Sequence, residues 1–98
     1  MPTERPKYGV CELCGCQRTL SFHHLIPRKL HKRAYYKKHY SREFLHNHGL
    51  NLCRLCHRKV HKLFDESTLG RTYNTREKLL GHPEMQRFLV WARKQKKR

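Results

Sequence analysis

The stretch LNLCRLCHRKVHKLFDE, residues 50–66, changes its periodicity part-way along. Its first residues alternate as a strand does. From Arg54 onward the apolar residues Leu55, Val60, Leu63 and Phe64 recur at helical spacing. This predicts a helix over 54–66 whose first turn carries Cys56 and whose next turns carry His57 and His61. Two imidazoles four residues apart on a helix share a face. That spacing lets two histidines bind one ion. The pair Cys53–Cys56 at the helix start has a twin upstream in CELC, residues 11–14.

Four thiolates suit tetrahedral zinc, and a four-cysteine site leaves no coordination position open, so such a zinc is structural. Cys11, Cys14, Cys53 and Cys56 are therefore expected to tie an N-terminal knuckle to the start of the helix. Gly15 supplies a positive φ where the knuckle turns back. The fifth cysteine, Cys16, is a small buried filler, a free thiol or a substitute for Cys14. Five cysteines cannot all pair as disulfides, and a doubled C-x-x-C reads as zinc first in a reducing compartment. A finger of two cysteines and two histidines is excluded by spacing, since Cys56 and His57 are adjacent.

Between the cysteine pairs lies FHHLIPRKLH, residues 22–31. Strand-forming residues precede the histidines and Pro27 closes the segment, which predicts a short strand. Neighbours on a strand face opposite sides. His23 and His24 thus have different surroundings. One can join His57 and His61 as a third metal ligand, and the other can act as a base. Residues 28–48 are basic and aromatic together. Arg28, Lys29, Lys32, Arg33, Lys37, Lys38 and Arg42 are interleaved with Tyr35, Tyr36 and Tyr40. Cations for phosphates and rings for bases make this the expected nucleic-acid contact segment. Ser41 is placed to cap a helix over REFLHN.

Composition narrows the partner. The chain has 98 residues with 23 Lys and Arg against 7 Asp and Glu, a net charge of +16. Such a balance points to a polyanion. A domain this small buries only roughly 60–65% of its unfolded surface, and a metal is a common staple at that size. No apolar run approaches a membrane span of about 18 residues, and the first ten residues lack a signal-peptide core. The expectation is a cytoplasmic protein with no membrane partner. Residues 1–10 read as a flexible basic arm, 11–92 as one domain and 93–98 as a basic tail. Added helices are expected over about 74–92. Asn74 is placed to cap the first, Pro83 sits near the start of the second, and Met85, Phe88, Leu89, Trp91 and Ala92 supply apolar surface.

FHHLIP, NLCRLCHRKVH and the upstream CELCG together resemble the HNH nuclease family, over roughly residues 11–64. The resemblance implies a small α+β fold: a ββα-metal unit at about 18–66 around one catalytic metal, with a four-cysteine zinc knuckle. It assigns His23, His57 and His61 as ligands of that metal (Mg²⁺, Mn²⁺, Ni²⁺ or Zn²⁺) and His24 as general base. The central Asn of the family falls on His48 here, so His48, Asn47 and Asn51 are the candidates to brace the base. The implied activity is hydrolysis of DNA, double-stranded before RNA, leaving 5′-phosphate and 3′-hydroxyl ends. The chain would act as a monomer or homodimer. A non-catalytic, zinc-stabilised nucleic-acid-binding protein is the alternative.

Overall fold

The computed structural model describes residues 5–95. Three antiparallel strands lie in the order β1–β2–β3: β1 at Tyr8–Val10, β2 at Gln17–His24 and β3 at Gly49–Cys53. A 3₁₀ turn at Arg28–Leu30 and two short helices, α1 at Ala34–His39 and α2 at Arg42–Asn47, form the connection from β2 to β3. Helix α3, Arg54–Leu63, follows β3 without a loop. Three more follow: α4 at Glu66–Arg71, α5 at Arg76–Leu80 and α6 at Pro83–Arg93. The result is a small α+β fold holding a buried four-cysteine cluster.

The register between β2 and β3 sets the site. His23 lies opposite Leu50 and His24 opposite Gly49. A Cβ at Gly49 would fall on the His23 carbonyl and the Phe22 ring, both under 3.0 Å, so only glycine fits this approach. The main core gathers Leu20, Leu50, Leu52 and Val60 with Leu69, Leu79, Met85 and Leu89 from the later helices. A smaller cluster of Ile26, Leu30, Tyr36 and Leu45 holds the 28–47 connection together.

Several expectations change. The arm expected over residues 1–10 contains β1, because Tyr8, Gly9 and Val10 pair with Thr19, Arg18 and Gln17. Residues 1–4 lie outside the described residues, as do 96–98 of the expected tail. The helix expected over 54–66 stops at Leu63, since Asp65 accepts a hydrogen bond from the Thr68 N–H (2.7 Å) and starts α4. Thr75, not Asn74, caps α5. Ser41 caps α2 by accepting from the Phe44 N–H, as its position predicts. On α6, Met85, Leu89 and Ala92 are buried, but Trp91 is 49% exposed and belongs to the outer face.

Candidate functional site

The cysteine knuckle is a short reverse turn. The Cys11 N–H donates to the Cys16 carbonyl and the Gly15 N–H to the Cys11 carbonyl (both 2.9 Å), with Gly15 at φ 79°. Cys53 ends β3 and serves as N-cap residue of α3, while Cys56 sits in its first turn. All four thiols are buried and none forms a disulfide. Their sulfurs lie within 4.8 Å of one another, and Cys14 and Cys53 are 3.8 Å apart. A tetrahedron with Zn–S bonds of about 2.3 Å has an edge of about 3.8 Å, so the spacing matches. The cluster could hold a structural metal such as zinc. Hydrogen bonds from Cys53 and Cys56 pull the Cys11 thiol well below its ordinary range. Burial pushes Cys14 up to about 12. Bonds to Cys11 and Cys53 push Cys56 up. Four acidic groups in one small volume cannot all ionise until a cation joins them. Cys16 stands outside the group and points its sulfur at the Arg93 carbonyl, 3.9 Å away.

A second group lies on β2 and α3. The rings of His23, His57 and His61 form a triangle with centroid separations of 5.2, 5.2 and 5.0 Å. One nitrogen from each lies within 4.8 Å of the others. His23 is buried and its Nε2 has no hydrogen-bond partner. His57 Nδ1 lies 2.7 Å from Ser21 Oγ, which fixes its ring. Burial and then the charges of His57 and His61 push His23 down to about 3, and burial also lowers His57. Neutral imidazole is the ligating form. Three imidazoles fit a transition ion better than Mg²⁺, which prefers oxygen.

His24 faces the other way. Its ring meets Phe22 edge-on at 4.9 Å and lies 5.6 Å from His31 and 6.0 Å from His46. Its Nε2 is buried without a partner. Burial, then Arg5, His31, His46 and Arg28, push it down to about 4. Arg5 stacks on Phe22 at 3.8 Å and donates to the His46 carbonyl at 2.9 Å.

The three bracing candidates separate. His48 accepts at its carbonyl from the Leu25 N–H (3.0 Å), directly after His24, and its ring is anchored on the Asn74 carbonyl at 2.7 Å. Asn51 ties β3 to the knuckle instead: its N–H donates to the Glu12 carboxylate and its carbonyl accepts from the Glu12 N–H. Its side-chain oxygen is buried and unpartnered. Asn47 is exposed and donates back to Glu43 within its own helix.

The basic segment also divides. Arg28, Lys32, Lys37 and Arg42 line a cleft of about 930 Å³ that His31 and His46 also border. Lys29 pairs with Glu66 at 3.3 Å, and Arg33 lines a separate depression with Ser67 and Arg71. Of the tyrosines expected to meet bases, Tyr36 is core and Tyr40 is stacked between it and Phe44, while Tyr35 is exposed. A second cleft, about 760 Å³, is lined by Thr19, Ser21, Arg54, His57, Arg58 and His61. Sequence reasoning passed over Arg54 and Arg58. Their spacing with His61 is i, i+4 and i+7, which puts all three on one face of α3. It also passed over Arg5 and Ser21, for which the sequence carries no signal.

No family model matches the chain, and no solved structure matches it. Over 88 residues it is 35% identical to the uncharacterized protein YisB of Bacillus subtilis (strain 168), covering 89% of this chain and 76% of that protein. The chain belongs to the YisB family. A match of that length on a 98-residue chain necessarily takes in β2, β3 and α3, so the likeness to YisB spans the histidine group. Among the described residues, no helix is long and apolar enough to cross a membrane.

Proposed function

We propose that this protein is a metal-dependent endonuclease of the HNH, or ββα-metal, type. One observation carries the reading. Nitrogens of His23, His57 and His61 lie within 4.8 Å of one another, on an antiparallel strand pair that runs straight into a helix. His24, next in the chain, faces the opposite side of the strand beside a basic cleft. A divalent ion held by the three imidazoles would supply Lewis acidity toward the scissile phosphate. Ser21 fixes the His57 ring for that role. His24, neutral at working pH, accepts a proton from the attacking water at its unpartnered Nε2. In-line attack leaves a 5′-phosphate and a 3′-hydroxyl. Through its carbonyl, His48 holds the strand end that carries the base. Arg28, Lys32, Lys37 and Arg42 meet backbone phosphates, which position the nucleic acid without reading its sequence. The substrate is DNA. The cysteine cluster holds zinc and takes no part in the chemistry.

A net charge of +16 would equally serve a non-catalytic nucleic-acid-binding protein, but that reading leaves the histidine triangle unused. Plasmid cleavage separates the two. Metal-stripped histidine sites are reloaded with each divalent ion in turn, beside His24→Ala purified identically. The expected result is that wild type cuts with a transition ion and His24→Ala binds the plasmid but cuts about 10²–10⁴-fold more slowly. Binding by both proteins with no cutting under any ion would leave the non-catalytic reading standing.

A further inference from the structure

Arg18 is the one buried lysine or arginine among the described residues, 6% exposed on β2. Its guanidinium reaches in two directions. One terminal nitrogen donates to the sulfurs of Cys14 (3.8 Å) and Cys53 (3.7 Å). The other donates to the carbonyls of Ala92 (2.7 Å) and Gln95 (2.9 Å), at the C-terminal end of α6. Those carbonyls lie where a helix runs out of its own donors and carries partial negative charge. The same junction holds a second contact, from Arg93 Nε to the Cys14 carbonyl at 3.1 Å.

A guanidinium stays charged at any pH a folded protein meets, so burying one requires a counter-charge. None of the described carboxylates forms an ion pair with Arg18. Neutral thiols are weak acceptors and offer little. Four thiolates around a divalent ion are different, because together they carry a net charge of about −2. N–H···S bonds to such a cluster are charge-assisted on both sides. We propose that Arg18 is the counter-ion of the metal-loaded cysteine cluster and that it clamps the C-terminal end of α6 to that cluster. Arg18 is thus a positioning residue. The inference goes beyond the nuclease reading and is independent of it, since it concerns the cysteines and not the histidines. The coupling is reciprocal: a guanidinium that stabilises the loaded cluster is itself held in place by it. The last turn of α6 is then only as ordered as the knuckle is loaded.

The test uses full-length protein carrying one zinc in the cysteine site. Zinc release to a colorimetric chelator is timed for wild type, Arg18→Gln, Arg18→Lys and the surface control Arg87→Gln, and amide hydrogen exchange is read over α6. Arg18→Gln should release zinc at least about tenfold faster, the worth of one charge-assisted hydrogen bond. Its amides in the last turn of α6 should exchange faster than those of α1 and α2 change. Arg18→Lys keeps the charge but lacks the fork, so it should hold zinc within about threefold of wild type while its α6 end still loosens. Arg87→Gln should match wild type in both. If Arg18→Gln does not accumulate folded, Arg18→Lys carries the test through the α6 readout. Equal release rates and unchanged α6 exchange in the variants would overturn the proposal. So would a folded wild type with no metal on its cysteines.

Discussion

Replacing Gly49 with alanine adds one methyl group where β3 pairs with His24 and faces the His23 carbonyl. That methyl would lie under 3.0 Å from the His23 carbonyl oxygen and from two atoms of the Phe22 ring. The ring can swing, although Arg5 stacked at 3.8 Å resists it. The carbonyl cannot, because it belongs to the strand that pairs His23 with Leu50 and His24 with Gly49. Overpacking costs roughly 1–3 kcal/mol where side chains yield, and a clash with backbone belongs at about 3. For a domain of this size that is a fall in Tm of roughly 12–24 °C. The same substitution elsewhere calibrates the reasoning. At Gly81 a Cβ meets only the Glu77 and Lys78 carbonyls at 3.5 and 3.7 Å, so Gly81→Ala should be neutral or gain up to about 1 kcal/mol. At Gly15 there is open space but φ is +79°, which costs an alanine roughly 1–2 kcal/mol. Scanning calorimetry of the three zinc-loaded variants should rank them Gly81, Gly15, Gly49 from most to least stable. A Gly49→Ala protein melting within about 3 °C of wild type would refute the packing argument.

Three further outcomes follow from the geometry. Cys56→Ser should lose the metal of the cysteine cluster and with it the fold, since structural metal binding is folding free energy; metal content and far-UV circular dichroism check this, and a native spectrum without metal would count against it. Ser21→Ala frees the ring of His57 and should weaken Co²⁺ or Ni²⁺ binding at the histidine triangle about 10–100-fold, read from visible absorption, with Tm nearly unchanged. Lys37→Gln and Arg42→Gln should each lower the slope of log K against log salt for DNA by about 0.9, whereas Lys29→Gln, already paired with Glu66, should lower it less.

The sequence by itself determined the parts whose signals are local. Strand-to-helix periodicity at 50–66, the two C-x-x-C pairs, His57 and His61 four apart, and Ser41 as a cap are each readable within a short run of chain. They led to the cysteine cluster and to a common face for two imidazoles. Only the tertiary structure decided the rest, because it depends on contacts between segments far apart in sequence. Strand β1 exists through its pairing with β2: Tyr8 and Val10 favour a strand, but three residues interrupted by Gly9 are too short to show a period. Helix α3 ends early because Asp65 caps α4, a competition that periodicity cannot see. Which cations face one cleft was set by how the 28–47 connection folds over its small core, not by their density in the sequence. His48 reaches the end of β2 through a backbone bond, to which its side-chain identity contributes nothing. Arg18 looks in sequence like any other of the 23 cations. Burial between a cysteine cluster and a helix end, across more than 70 residues of chain, gives it a distinct role.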